Sequence, residues 1–251
     1  PWFGTACCPS NLTRFLPSLA GYLYAVRDDA LFVNLFMSNE ATMEVAGQRV
    51  EITQTTRYPW EGKIRLELTK SGDAPLELRI RIPGWTGERP VPSDLYRYAD
   101  QPAGRPYRFT VEGKYEGPRM EEGFLTFTLR EKRHAIDLVF PMALRRVRAH
   151  EKVGADEGMA AFEYGPIVYC AEWVDHEHSV EDFIVPPSAN FKPVFRPNLL
   201  RGVNTLSGEV PAFFPTADGR QIKSGKKQLT LIPYYAWAHR GEGPMKVWLP
   251  E

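Results

Sequence analysis

Two adjacent cysteines near the start of the chain, Cys7 and Cys8, are the residues whose type and spacing most clearly indicate chemistry. A disulfide between neighbours closes a strained small ring, so the two are poorly suited to bond to each other. Both sulfurs can still reach one metal ion, and zinc is the natural candidate because it accepts thiolates in a tetrahedral arrangement. The alternative is a pair of small buried hydrophobic side chains, since free cysteine is among the most buried residue types.

Other residues that could bind metal or act as nucleophiles are less favoured by their context. Cys170 lies in the apolar run Pro166 to Ala171, where a thiol is expected to be buried and inert. His176 and His178 could bind a metal ion, but they lie in the acidic stretch Glu172 to Asp182. Alternating histidines there are more typical of an exposed connector than of a metal site.

Two aromatic clusters offer flat faces on which sugar rings could stack. They are Tyr58, Pro59 and Trp60, and Tyr234, Tyr235 and Trp237. Aromatic rings supply large, rigid contact area for such ligands. The alternative is packing in the core or at a domain interface, because tryptophan is usually well buried.

The composition argues against several classes of function. Of the 251 residues, 43% are apolar and 25% are charged, which is ordinary for a soluble globular protein. Basic and acidic residues balance at 31 each, so a nucleic-acid partner is disfavoured. The longest nearly apolar run, Phe15 to Val26, is too short to span a bilayer, so no membrane partner is expected. The absence of an initiator methionine suggests a cut within a domain, and the localisation stays open.

One amphipathic helix is predicted from Ser10 to Tyr24, directly after the cysteine pair. Ser10 or Asn11 can serve as its N-cap, and Pro17 should kink it. Apolar residues recur there at three- and four-residue spacing, and these are Leu12, Phe15, Leu16, Leu19 and Leu23.

From Ala30 onward the apolar period changes to two, which predicts short strands with one buried face. The clearest examples are residues 64–68, 76–82 and 125–129, and repeated strands of this kind favour a β-sandwich. Residues 87–108 are predicted to form a long surface excursion. A proline-rich stretch after Asp182 is the best candidate for a linker, followed by a smaller β unit.

The run from Trp2 to Arg14, with Gly4-Thr5-Ala6-Cys7-Cys8-Pro9-Ser10-Asn11 at its centre, resembles the signature of the β-L-arabinofuranosidases of glycoside hydrolase family 127. Further stretches resemble that family, and they occur in the family's order. They are Tyr58-Pro59-Trp60-Glu61-Gly62, Tyr164 to Cys170, and Ile232 to Ala238. The resemblance covers nearly the whole chain but only the C-terminal part of a longer enzyme.

This resemblance implies roles for the cysteine pair. Cys7 would be the nucleophile and a zinc ligand, and Cys8 would be a zinc ligand only. The remaining zinc ligands, a glutamate and a third cysteine, would come from a region outside this sequence, as would the acid/base glutamate. Some members carry a further cysteine where this chain has Thr5, and that departure leaves the zinc ligands intact.

The fold class expected from pattern and resemblance together is mainly β. Residues 1–27 would form the remnant of a helical α/α barrel, ending in its last helix. Residues 28–178 would form an antiparallel β-sandwich, and residues 179–251 a smaller C-terminal β domain.

The function implied is part of a retaining glycoside hydrolase acting on β-L-arabinofuranosides or related plant oligosaccharides, inactive without its missing barrel. An arabinose-containing oligosaccharide and that barrel are the expected partners, and a homodimer is a further option. Two alternatives remain open: a non-catalytic carbohydrate-binding or structural β-sandwich, and an interaction module in which the cysteine pair is a buried relic.

Overall fold

The structure is a computed structural model that describes residues 7–100, 106–217, 219 and 222–251. Residues 1–6, which include Thr5 and the start of the family-like run, lie outside the described residues. Among the described residues, no helix is long and apolar enough to cross a membrane. The predicted fold class is confirmed: one N-terminal helix is followed by strands that pair almost entirely in antiparallel sheets.

The single α-helix, α1, spans Cys7–Ser18 and continues into a 3-10 turn at Leu19–Tyr22. Its described part begins three residues before the predicted start at Ser10. The Ser10 hydroxyl donates to the Cys7 carbonyl at 2.9 Å instead of capping the helix, so the cysteines belong to the first described turn. Pro17 lies inside α1, one residue before its end, and its missing N–H removes one helical hydrogen bond there.

The apolar residues of α1 are not covered by other parts of the described chain. The helix contains no buried residue, and its largest apolar side chains are exposed: Leu12, Phe15 and Leu16. An amphipathic helix normally buries this face against a partner. That α1 belongs to a helical barrel outside this chain stays a prediction.

Nineteen strands are present among the described residues. In chain order they are β1 (Tyr24–Arg27), β2 (Ala30–Val33), β3 (Asn39–Val45), β4 (Gln48–Thr56), β5 (Lys63–Lys70), β6 (Leu76–Arg81), β7 (Tyr96–Tyr98), β8 (Arg108–Glu112), β9 (Tyr115–Glu121), β10 (Phe124–Leu129), β11 (Arg133–Val139), β12 (Leu144–Ala149), β13 (Met159–Tyr164), β14 (Ile167–Glu172), β15 (Lys192–Arg196), β16 (Val203–Pro215), β17 (Ile222–Pro233), β18 (Met245–Lys246) and β19 (Leu249–Pro250).

The first of two compact units combines the residues up to Pro83 with Tyr107–Phe140. It contains two five-stranded sheets, ordered β1-β2-β6-β10-β9 and β3-β4-β5-β11-β8, and only the β2–β6 pair is parallel among its described strands. Phe109 of one sheet meets Phe127 of the other edge-to-face, with ring centroids 5.5 Å apart. The two sheets therefore pack as a sandwich.

The buried face of each predicted strand follows the alternation of the sequence. In β5, Ile64, Leu66 and Leu68 are fully buried, whereas the polar residues between them are not. A strand directs successive side chains to opposite faces, so this alternation is what a half-buried sheet requires.

The second unit combines Gly84–Pro106 with Pro141–Glu251. Its sheet is ordered β15-β16-β17-β14-β13-β12-β7, with β18 beside β14 and β19 beside β13. This division differs from the predicted boundary between residues 28–178 and 179–251, because β14 on one side of that boundary pairs with β17 on the other. The predicted linker is also packed, since Phe183, Val185 and Phe191 are buried in the core of this unit.

The predicted surface excursion at residues 87–108 is partly structured. Its described part includes β7, which pairs with β12, and Tyr98 is buried there against Val147 and Ala161. The alternation over three residues of β7 is too short to be recognised in the sequence.

Candidate functional site

The paired thiols lie at the exposed start of α1. The Sγ atoms of Cys7 and Cys8 are 3.9 Å apart, and both residues are exposed free cysteines. This separation is far longer than the roughly 2.05 Å of a disulfide bond. Because both residues are exposed, the alternative that the pair consists of buried hydrophobic side chains is wrong for the described chain.

The spacing of the two sulfurs fits one shared zinc ion. Two thiolates at about 2.3 Å from a tetrahedral zinc ion lie about 3.8 Å apart, close to the observed 3.9 Å. Consecutive residues on a helix point about 100° apart, yet the flexible thiol-bearing side chains bring their sulfurs together. The chemistry and the spacing of these donors both suit zinc.

The described residues could supply only two ligands to a zinc ion. No group of three or more histidine, cysteine, aspartate or glutamate residues that could hold a metal ion occurs among the described residues. A structural or catalytic zinc site needs at least three protein ligands. Cys7 and Cys8 can therefore contribute two ligands, and any others must come from elsewhere.

Cys170 is buried and chemically inert, as predicted. It has no exposed surface, and burial, with a smaller contribution from Glu172 and Asp175, raises the pKa of its thiol to about 12. The thiolate is the reactive form of cysteine, so this residue cannot serve as a nucleophile or ligand at neutral pH.

The two histidines predicted to lie on an exposed connector are instead built into the second unit. The Nδ1 atom of His176 is 2.9 Å from the Glu172 carbonyl, and its Nε2 atom accepts a hydrogen bond from the Thr230 backbone at 3.1 Å. His178 stacks on Phe214 with ring centroids 3.9 Å apart. Burial lowers the pKa of His176, so its imidazole is neutral and holds the connector to β17.

The first aromatic cluster is partly packed. Tyr58 lies edge-on against Phe36 and Phe140, while Trp60 remains 44% exposed. At the end of this family-like stretch, a side chain on Gly62 would meet the Phe140 carbonyl oxygen at 1.9 Å. Only glycine permits this close approach of two backbone segments.

The second aromatic cluster forms an exposed surface on the loop after β17. Tyr234 and Trp237 stack nearly parallel, with ring centroids 6.0 Å apart and an angle of 21° between planes. Tyr234 is 47% exposed and Tyr235 is 50% exposed. Ala236, between Tyr235 and Trp237, is buried and holds the turn against the sheet.

Three charged residues that the sequence did not reveal hold this loop in place. Glu172, only 1% exposed, accepts hydrogen bonds from the Ala238 backbone at 3.0 Å and from Arg240. Arg240 also donates two hydrogen bonds of 2.6 Å to Asp175. The partners are more than 60 residues apart in the chain, and the family-like stretch ends at Ala238, so no local pattern identifies them.

Comparison with known families finds two models that together match most of the chain. A model of the glycoside hydrolase family 127 C-terminal domain matches residues 144–250. A model described as beta-L-arabinofuranosidase, GH127 middle domain, matches residues 30–142. The border between the two matches lies near Phe140, where one compact unit gives way to the other.

Individual relatives agree with the family models. A non-reducing end beta-L-arabinofuranosidase of Bifidobacterium longum subsp. longum is 31% identical over 98% of this chain and 37% of the relative. A solved GH127 beta-arabinofuranosidase matches with a TM-score of 0.90 and 43% identity, over 100% of this chain and 39% of its own.

A GH127 beta-L-arabinofuranosidase from Geobacillus stearothermophilus T6 matches with a TM-score of 0.83 and 33% identity, over 100% of this chain and 38% of its own. The chain thus spans less than two fifths of the length of each of these relatives.

Proposed function

Since this chain belongs to glycoside hydrolase family 127 and holds its middle and C-terminal domains, we propose that it is part of a retaining enzyme that hydrolyses β-L-arabinofuranosides or related plant oligosaccharides. The relatives that it matches are more than twice as long. We place the helical barrel, the acid/base glutamate and two further zinc ligands in the region that this chain does not cover.

The observation that carries the proposal is the exposed thiol pair at the start of α1. Two sulfurs 3.9 Å apart can bind one zinc ion, and neither is committed to a disulfide. Because the apolar side of α1 is also uncovered, this helix is suited to pack against further helices. The pair would then lie inside the completed enzyme.

Cys7 acts as the nucleophile in this proposal. Zinc held by Cys7 and Cys8 would keep both thiols deprotonated at neutral pH. The Cys7 sulfur attacks the anomeric carbon of the terminal arabinofuranose, and a carbon–sulfur bond forms as the glycosidic carbon–oxygen bond breaks. The departing oxygen takes a proton from the acid/base glutamate. No covalent bond forms between Cys8 and the sugar.

Hydrolysis of the resulting thioether completes the cycle. The same glutamate removes a proton from water, whose oxygen bonds to the anomeric carbon while the Cys7 sulfur departs with the bonding electrons. Two successive inversions at one carbon retain its configuration. Other retaining glycosidases use a carboxylate nucleophile for the same sequence of steps.

Labelling the full-length protein with an arabinofuranose analogue that carries a haloacetyl group tests the proposal. Peptide mass spectrometry should find the label on Cys7, and the Cys7→Ser variant should remain unlabelled. An excess of an arabinofuranoside should protect Cys7. Label on Cys8 or Cys170 in place of Cys7 would overturn the assignment.

A further inference from the structure

The surface of the second unit contains a cavity of about 510 Å³ beside the exposed aromatic loop. Its volume lies within the range of roughly 300–1,000 Å³ that is typical of small-molecule sites. Two segments form its walls: the turn before β16 and the loop after β17. The lining residues are Leu200, Arg201, Tyr235, Ala236 and His239.

The cavity combines an aromatic face with polar donors. Tyr235 lines the cavity and is half exposed. The neighbouring Tyr234 and Trp237 rings extend the aromatic surface along the same loop. Arg201, from the turn before β16, and His239, from the loop after β17, line the same cavity and carry N–H groups. A ring with one apolar C–H face and hydroxyl groups at its rim matches this combination.

The aromatic loop is rigidly attached to the sheet beneath it. Glu172 is almost fully buried and binds both Arg240 and the Ala238 backbone, while Asp175 binds the same guanidinium. Removing charges from water is costly, so such a cluster contributes little net stability compared with apolar packing. Its effect is to hold one particular conformation of the loop.

Unusual backbone conformations are concentrated in these two segments. Six non-glycine residues have positive φ among the described residues. Three of them lie here: Leu200 at 49°, Arg201 at 66° and Ala238 at 64°. Non-glycine residues in this region carry a conformational cost, and such residues cluster at ligand sites.

We propose that this cavity binds a short oligosaccharide, with a sugar ring stacked on Tyr235 and its hydroxyl groups hydrogen-bonded by Arg201 and His239. The balanced charge of the chain, 31 basic and 31 acidic residues, gives no electrostatic support for a nucleic acid at this surface. The inference rests on the second unit alone. It does not depend on the role of Cys7, because binding can be measured without hydrolysis.

Titration of the chain with arabino-, xylo- and cello-oligosaccharides, followed by calorimetry and by NMR, tests this site. The best ligand among these glycans should bind with a dissociation constant below about 1 mM. The Tyr235→Ala and Arg201→Gln variants should each weaken that binding by about tenfold. Phe213→Ala is the matched control, because Phe213 is a similarly exposed aromatic residue of β16 that does not line the cavity. The affinity of this variant for the glycan should change by less than about twofold.

Three results would overturn the inference. The first is that no glycan of the panel binds, and the second is that Tyr235→Ala and Arg201→Gln bind as tightly as Phe213→Ala. The third is that the full-length protein does not bind the glycan that the chain binds, because another part of that protein would then cover the aromatic loop. Label on Cys7 with no glycan binding by the chain would leave the proposed function intact and reject only this site.

Discussion

The sulfur atoms of Cys7 and Cys8 lie 3.9 Å apart on the first described turn of α1. This distance permits a shared zinc ion and leaves the two thiols unbonded to each other. The two residues are nevertheless not equivalent in the proposed mechanism, because only Cys7 bonds to the sugar. Substituting them one at a time therefore separates the nucleophile from the ligand.

In the full-length protein, Cys7→Ser should lower turnover by more than about a thousandfold, because a serine hydroxyl is far less acidic than a thiol. Cys8→Ser should lower zinc content and activity in parallel, since it removes a ligand only. Metal analysis and initial rates measured on the same samples would show this. Cys170→Ala is the control, and it should keep both zinc and activity. An active zinc-free enzyme would contradict the prediction.

The 251-residue chain by itself should hydrolyse no arabinofuranoside and should bind zinc weakly. Its described residues offer no group of three metal ligands, and two thiolates do not complete a zinc site. Zinc binding measured with a competing chelator should therefore be much weaker than that of the full-length protein. Turnover by the purified chain, or zinc bound as tightly as in the full-length protein, would show that the site is complete without further residues.

The sheets of the first unit could be predicted well from sequence because each strand buries one face. Leu66 and Leu68 alternate with polar residues, and this pattern directly reports burial. The start of α1 was predicted three residues too late. A serine can cap a helix, but inside a helix its hydroxyl can also donate to a carbonyl of the preceding turn, as Ser10 does to Cys7. An amino-acid type alone does not distinguish these two uses.

The candidate sites differ in how far the sequence could reveal them. The thiol pair is a local motif, so adjacent residues suffice to find it. The exposure of His176 was misjudged, because its partners Glu172 and Thr230 are backbone groups that no pattern identifies. Arg201 and Tyr235 line one cavity only because β16 and β17 form a hairpin.

The buried thiol of Cys170 should react differently from the exposed pair. With a chromogenic disulfide reagent at pH 8, two thiols should react rapidly in the folded chain, and the third should react only after unfolding. Burial raises the pKa of Cys170 to about 12 from an ordinary value of 9.0. Rapid reaction of three thiols in the folded chain would contradict the burial that the structure shows.

The same pKa shift predicts how stability changes with pH. The unfolded chain loses the Cys170 proton near pH 9, while the folded chain retains it to about pH 12. Stability from this group is therefore present below pH 9 and declines as the pH rises through that interval. The free energy of unfolding of the wild type minus that of Cys170→Ala should fall between about pH 9 and pH 11, as measured by denaturant titration.

Substitution of Gly62 by alanine should destabilise the first unit by at least about 2 kcal/mol. The new Cβ atom would lie 1.9 Å from the Phe140 carbonyl oxygen, a backbone atom that cannot rotate away. The Phe140 amide also donates to the Gly62 carbonyl at 2.8 Å, so relief of the clash would break this hydrogen bond. Gly84→Ala is the control, because no atom lies within 4 Å of its new Cβ. Equal unfolding midpoints for both variants would refute the prediction.

Removal of the Arg240 guanidinium should destabilise the second unit strongly. In Arg240→Met, the carboxylates of Glu172 and Asp175 lose their shared partner, and Glu172 is almost fully buried. Breaking one side of a buried ion pair costs about 3–5 kcal/mol. The exposed Arg49–Glu51 pair, with side chains 67% and 54% exposed, provides the control, and Arg49→Met should cost less than about 1 kcal/mol.

The double variant Arg240→Met/Glu172→Gln distinguishes lost electrostatic pairing from lost packing. In the wild type, hydrogen bonds to Asp175 and Glu172 raise the pKa of Arg240, so its guanidinium is charged where it binds the two carboxylates. In Arg240→Met, the almost fully buried Glu172 carboxylate lacks this partner, and an unpaired buried charge is costly. Adding Glu172→Gln should therefore recover part of the loss at pH 7, as measured by denaturant titration, because it removes the unpaired charge. A loss unchanged by Glu172→Gln would mean that Arg240 acts through packing alone.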